Sequence, residues 1–135
     1  MVSFRNSNFI RNIITTIFII NMLILLNSCE CDSVNKSLPK PATAKALNIT
    51  QTEATLTGMV YLEGNSTTAH YEYGLSNSYG NTTKSNSHPE GYWGSWPVAI
   101  KVTSLSPCTT YHFQLVAKNK YGTAYGSDQS FTTLN

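Results

Sequence analysis

The stretch LSPCTTYHFQLVA, residues 105–117, decides how this chain folds. Its proline restricts the backbone and removes an N–H donor, so Pro107 marks a turn. From Tyr111 to Ala117 apolar and polar side chains then alternate with a period of two. This period is typical of a strand with one buried face. The stretch therefore predicts a tight turn that leads into a half-buried β-strand.

The same alternation recurs along the second half of the chain. It is clear at residues 54–60, 69–73 and 98–102, and weaker strands are predicted near 43–50, 79–84 and 127–133. Glycine, proline and asparagine separate these segments, and none of them has a helical period. Many short strands with turn signals between them indicate a sandwich. We therefore predict an all-β fold, a seven-stranded antiparallel β-sandwich over residues 42–135.

The corner at residues 105–111 carries a resemblance to a known family. LSPCTTY matches the L-x-P-x-T-x-Y corner of fibronectin type III domains, with Leu105, Pro107 and Tyr111 at the defining positions. The resemblance extends over about residues 42–134. The resemblance implies that the Tyr111 ring fills the edge of the core and that its hydroxyl hydrogen-bonds to the backbone a few residues upstream. The chain departs from the family at Cys108, where glycine is frequent, and in a long connection at residues 85–97.

Residues 1–28 are predicted to be a signal peptide. Arg5 and Arg11 precede an apolar run at residues 13–26, which is shorter than the roughly 20 residues of a spanning helix. An uncleaved N-terminal anchor is the alternative. Leu26-Asn27-Ser28-Cys29 resembles the bacterial lipobox, which implies that Cys29 is acylated and becomes the new N-terminus.

The lipobox resemblance sets the predicted location and the role of the next residues. It implies a lipid-anchored protein of the bacterial outer membrane, with residues 29–41 as a flexible tether and the membrane as a partner through the lipid. Acidic Glu30-Cys31-Asp32 resembles surface-export signals of Bacteroidetes-like lipoproteins, which implies surface exposure. Acylation of Cys29 removes a Cys-x-Cys metal clip. A disulfide between Cys31 and Cys108 is disfavoured, because the predicted strand count puts them at opposite ends.

Charge and chemistry exclude several function classes. The chain has 9 basic and 7 acidic residues, and removal of the signal peptide takes away Arg5 and Arg11, leaving 9 − 2 = 7 of each. A neutral chain without basic clusters argues against nucleic acid as a partner. The carboxylates are scattered singly, and no serine lies in a G-x-S-x-G context. We therefore predict that the protein is not an enzyme and uses no cofactor.

A metal site is the weaker interpretation of three polar residues. His70, Glu72 and His112 have outward parity on strands that are neighbours in a fibronectin type III sheet. Imidazole and carboxylate would suit zinc. The spacing signatures of zinc sites are absent, however, and a solvated sheet face accounts for polar residues equally well. We predict no metal.

The best candidate for ligand binding is SNSHPEGYWGSWP, residues 85–97. Tyr92, Trp93 and Trp96 offer flat apolar surface, which extracellular modules use to contact partners. The alternative is that at least one tryptophan folds back and caps the sandwich. The strand count puts this segment at the end where the tether leaves. The predicted function is binding, adhesion or interaction with an extracellular protein or glycan; the alternatives are a carbohydrate-binding accessory protein and a passive spacer.

Overall fold

The computed structural model describes residues 36–135, and the regular elements in this part of the chain are all β-strands. The predicted signal peptide, Cys29 and Cys31 lie outside the described residues. The strands are β1 Lys40–Thr43, β2 Ala54–Glu63, β3 Thr67–Gly74, β4 Asn81–Thr82, β5 Asn86–His88, β6 Trp93–Val102, β7 Thr110–Asn119, β8 Gly122–Tyr125 and β9 Gln129–Thr132.

The strands form two antiparallel sheets. The smaller sheet has the order β1-β2-β6. In the larger sheet β3 and β7 are central; β4 and β5 together line the outer edge of β3, while β8 and β9 line the outer edge of β7. At each of these two edges, two short segments together occupy the position of one strand. The nine segments therefore occupy seven strand positions, which confirms the predicted sandwich of fibronectin type III type.

The core is built from the inward residues of both sheets. Leu56 and Val60 come from β2, and Phe113 and Leu115 from β7; all four are completely buried. Tyr71 of β3 is also completely buried, and its hydroxyl donates a 2.9 Å hydrogen bond to a carbonyl oxygen of the opposite sheet, at Val98. Burial of this kind contributes about 1.5–3 kcal/mol for each large apolar side chain. The Tyr71 bond joins the two sheets through the core.

The corner has the geometry that the fibronectin resemblance implies. The Tyr111 hydroxyl accepts a hydrogen bond from the Ser106 N–H at 3.0 Å, and the Tyr111 ring stacks on Phe131 with centroids 5.7 Å apart. Leu105 is buried beside them, whereas Pro107 is exposed in the turn. Cys108 has φ 47°, in the left-handed region. Glycine adopts this conformation without strain, which explains its frequency at this position in the family.

Several predicted strand bounds are wrong, and proline is one cause. The first strand is residues 40–43 instead of 43–50, so β1 begins before the predicted domain boundary at residue 42. Pro41 suggested a tether, but β1 is an edge strand, where a missing N–H is tolerated. Residues 122–125, which lie outside every predicted strand, form β8. The predicted strand near 79–84 shortens to residues 81–82.

Candidate binding surface

The predicted binding segment is not a long loop. Residues 86–88 pair with β3, and β6 already begins at Trp93, so Tyr92 is the last residue of a short turn. Pro97 lies inside β6 and is tolerated because β6 is the edge strand of its sheet. The segment therefore presents its aromatic residues mostly from a strand, whose register determines where each side chain points.

The register of β6 against β2 separates the two tryptophans. Trp96 lies opposite Val60, on the inner face, and packs against the core. Trp93 lies opposite Glu63, on the outer face, and is 61% exposed. Trp96 therefore caps one end of the core, as the alternative interpretation proposed for at least one tryptophan, while Trp93 faces outward.

Trp93 is held in place by a glycine turn. A Cβ at Gly64 would lie 2.8 Å from Cε2 and Cζ2 of the indole, so the ring rests directly on the Gly64 backbone. Gly64 has φ 79°, donates a 3.0 Å hydrogen bond to the Tyr92 carbonyl and accepts one of 2.8 Å from the Gly91 N–H. These two bonds join the β2–β3 turn to the β5–β6 turn. The indole is consequently supported on one side while most of its surface stays exposed.

A second aromatic residue, Tyr61, lies on the same outer face and was missed in the sequence. It belongs to β2, is 50% exposed and pairs with Lys40 of β1 and Ser95 of β6. Because Ser95 and Trp93 are next-but-one neighbours in β6, Tyr61 and Trp93 are diagonal neighbours, whose backbone positions are about 7–8 Å apart. We call these two residues the aromatic face. The sequence did contain a signal for Tyr61: it directly follows the predicted strand at residues 54–60, and the alternation of that strand puts it on the outward face.

Charged groups at the border of the aromatic face neutralise one another. Lys40 Nζ lies 2.5 Å from Glu63 Oε1, and the Ser37 hydroxyl donates to Glu63 Oε2. At the other end of the same sheet, Lys101 Nζ lies 2.7 Å from Glu53 Oε2. The smaller sheet therefore presents aromatic surface with hydroxyl, ammonium and carboxylate groups around it.

Tyr92 belongs to a separate ring cluster next to the aromatic face. The His88 ring lies between Tyr92 and Trp96, with centroid distances of 4.6 Å and 5.4 Å. Tyr92 is 44% exposed, and it closes the cluster toward solvent. The three predicted binding residues thus divide into Trp96, half-buried against the core, Tyr92 on the His88 ring and Trp93 on the outer face.

The N-terminal segment of the domain is fastened near the same turns. Asn119 donates a 2.8 Å hydrogen bond to the Ser37 carbonyl and accepts one of 2.9 Å from the Tyr121 N–H. Leu38 lies against Gly122, where a Cβ would come within 2.8 Å of its side chain. The chain thus enters at the end formed by the turns 64–66, 89–92 and 120–121, which we call the entry end. Ser37 and Leu38, in the predicted tether, therefore lie at the same end as the turn within residues 85–97, as the strand count predicted.

The polar residues of the larger sheet make side-chain hydrogen bonds, two of which meet at Asp128. Glu72 accepts a 2.8 Å hydrogen bond from Gln114, and His112 Nδ1 lies 2.9 Å from Asp128 Oδ2. The Tyr79 hydroxyl donates to Asp128 at 2.9 Å. Burial, and then Asp128, raise the pKa of Tyr79 to about 12. Within residues 36–135 no three histidine, cysteine or acidic side chains, His70 included, are grouped to hold a metal.

Cys108 is exposed and lies at the end of the sandwich opposite the entry end, since β7 starts beside it and finishes at Asn119. Its N–H donates to the Leu134 carbonyl at 3.1 Å. No helix in residues 36–135 has the length and hydropathy needed to span a membrane.

Several solved structures are similar to this chain over most of its length. No family model and no curated protein matches the chain. The chain is similar to solved structures of the sensor domain of the anti-sigma factor RsgI4 from Pseudobacteroides cellulosolvens. A short form is 25% identical over 73% of this chain and 96% of that one, with TM-score 0.56; a long form is 26% identical over 72% and 90%, with TM-score 0.53. A human fibronectin type III domain matches at 23% identity over 73% and 88%, with TM-score 0.46.

Proposed function

We propose that this protein is a non-catalytic binding module, anchored in the bacterial outer membrane by an acylated Cys29, whose ligand surface is the aromatic face. The observation that carries the proposal is the position of Trp93, supported by the Gly64 backbone and 61% exposed. A large aromatic side chain that is already fixed loses little conformational entropy when a ligand covers it. Covering about 100 Å² of such surface contributes roughly 2.5 kcal/mol.

The use of the acidic side chains supports a non-catalytic role. Each carboxylate among the described residues contacts a neighbouring side chain: Glu53 with Lys101, Glu63 with Lys40, Glu72 with Gln114, Glu90 with Lys120 and Asp128 with His112. Asp128 also accepts a hydrogen bond from Tyr79, and the five contacts are otherwise spread over the surface of the sandwich. A catalytic acid or base, by contrast, needs partners that converge on a reacting atom.

The similarity to a sensor domain supports an extracytoplasmic ligand-binding role. The RsgI4 structures are those of the sensor domain of an anti-sigma factor, and this chain covers 96% of the short form. Fold alone does not determine function, so the aromatic face carries the argument and the similarity adds to it. A passive spacer would need neither an exposed indole nor the turn that supports it.

The anchor is tested by labelling the full chain in bacterial cells with a radioactive fatty acid. Wild-type protein and the Cys31→Ser variant should carry the label, and Cys29→Ser should not. Mass spectrometry of the mature N-terminus should show an acylated Cys29. A labelled Cys29→Ser protein, or a mature chain that keeps Met1, would refute the anchor.

The ligand surface is tested by retention of the full chain on immobilised extracellular polysaccharide and, separately, on immobilised envelope protein. Trp93→Ala should lower retention, and its thermal midpoint should stay within about 4 °C of wild type, because surface substitutions change stability by less than about 0.5 kcal/mol and each kcal/mol shifts the midpoint of a domain of this size by about 4–8 °C. Leu75→Ala is the matched control, since Leu75 is 69% exposed in the turn after β3. Equal retention of both variants would favour the passive spacer.

A further inference from the structure

We infer that the aromatic face is a stacking platform for an uncharged polysaccharide chain. This inference rests on the proposed binding function and names the class of its ligand. Tyr61 and Trp93 project from adjacent strands on the same side of the smaller sheet. Both are at least half exposed, at 50% and 61%. Two rings carried by one sheet form a broad surface instead of a pocket.

The chemistry of the surface fits sugar rings. A pyranose has an apolar C–H side and a rim of hydroxyl groups, so it needs a flat aromatic partner and polar groups around it. The rings of Tyr61 and Trp93 supply the first. Ser95 and Lys40 flank Tyr61 as its partners in the two neighbouring strands, and Glu63 lies opposite Trp93. The Ser95 hydroxyl, the Lys40 ammonium and the Glu63 carboxylate are therefore each carried on a strand next to that of the ring they flank.

The charge balance favours an uncharged ligand. The Lys40 ammonium and the Glu63 carboxylate are 2.5 Å apart, so they cancel next to the rings. The Lys101–Glu53 pair does the same at the other end of the sheet. An anionic polymer is bound through uncompensated basic groups, whose fields raise its local concentration. The paired charges of this surface can form hydrogen bonds with a ligand, but they do not create the positive field that would attract an anionic polymer.

The open border of the sheet favours a chain over a single sugar. No strand in residues 36–135 pairs with the far edge of β6, so a ligand lying across Trp93 is not blocked at that edge. Trp93 also lies on the outer face of the sheet, although it is close to the entry end. A polymer can therefore lie along the outer face of an anchored domain. A single ring on an open surface would bury too little area to bind tightly.

The inference is tested by affinity electrophoresis of the detergent-solubilised full chain in gels that contain one polymer each. The neutral probes are hydroxyethyl cellulose, glucomannan, laminarin and dextran; dextran sulfate is the charged probe. We expect at least one neutral polymer to retard the wild-type protein. Trp93→Ala and Tyr61→Ala should each weaken the apparent dissociation constant for that polymer by tenfold or more. Trp93→Tyr, which keeps a flat ring, should recover part of the affinity, and Leu75→Ala should match wild type.

The possible results separate the inference from the proposed function. Retardation by dextran sulfate alone, or unchanged retardation of Trp93→Ala and Tyr61→Ala, would overturn the inference. If no neutral polymer retards the protein but Trp93→Ala loses retention on envelope protein, the ligand is a protein, so the inference is wrong and the proposed function stands. If Trp93→Ala and Leu75→Ala agree in every binding assay, both are wrong. Thermal midpoints of the variants within about 4 °C of wild type show that they are folded.

Discussion

Replacing Tyr71 by phenylalanine should remove the hydrogen bond that joins the two sheets and leave the ring in place. The Tyr71 hydroxyl is completely buried and donates to the Val98 carbonyl at 2.9 Å. A hydrogen bond contributes about 0.5–1.5 kcal/mol net, and an unpaired buried acceptor costs about 1–3 kcal/mol. We therefore expect Tyr71→Phe to lower the free energy of unfolding by about 2 kcal/mol. For a domain of this size that corresponds to roughly 8–16 °C in thermal midpoint.

The same variant should change how stability depends on alkaline pH. Burial raises the pKa of Tyr71 above its ordinary value of 10.0, so the folded state holds this proton more tightly than the unfolded state does. The stabilisation is fully present below pH 10 and is lost as pH rises above it. Tyr71→Phe removes this group, so the stability of the variant should fall less steeply above pH 10 than that of wild type.

Urea denaturation at pH 7 and at several values above pH 10, followed by circular dichroism, measures both effects. Tyr125→Phe is the control, because Tyr125 is 61% exposed on β8. For Tyr71→Phe, a loss below about 0.5 kcal/mol would be smaller than the net contribution of one hydrogen bond. Such a loss, or alkaline slopes equal to those of wild type, would refute the role given to this bond.

Three further predictions concern the turns and the entry segment. Gly64→Ala should lower the free energy of unfolding by more than Gly91→Ala, because both glycines have positive φ but a Cβ at Gly64 alone meets the indole, at 2.8 Å; equal losses in urea denaturation would contradict the packing of Trp93. Cys108→Gly should be more stable than Cys108→Ala by about 0.5–1 kcal/mol, since glycine relieves the strain at φ 47°; calorimetry that ranks the alanine variant higher would contradict this. Asn119→Ala should speed amide hydrogen exchange at Ser37, Leu38 and Lys40 by releasing the Ser37 carbonyl; unchanged exchange at these three amides would show that other contacts hold the segment.

The local fold was readable from the sequence because its signals act over a few residues. The alternation at residues 111–117 and 54–60 predicted the central strands, and Pro107 and Tyr111 predicted the corner that the structure contains. Strand period and turn chemistry depend on neighbours in the chain. Such features therefore appear in the sequence wherever they occur.

The edges of the sheets were less predictable, because an edge strand obeys weaker rules. Pro41 and Pro97 both lie in edge strands, where a proline costs no ladder bond if its nitrogen faces away from the neighbour. In the sequence each proline indicated a break. As a result β1 was predicted too late in the chain, and the start of β6 was predicted as a loop.

The sequence by itself determined that the chain forms a β-sandwich with a tyrosine corner and that aromatic residues cluster near Tyr92. Only the tertiary structure decided which of them face outward. The pairing of β6 with β2 turns Trp93 out, turns Trp96 in, and brings Tyr61 beside Trp93 from a distant part of the chain. Side chains alternate between faces, so a shift of one position in that pairing would exchange the two tryptophans. Register is set by contacts between strands that lie far apart in the sequence, and those contacts exist only in the folded protein.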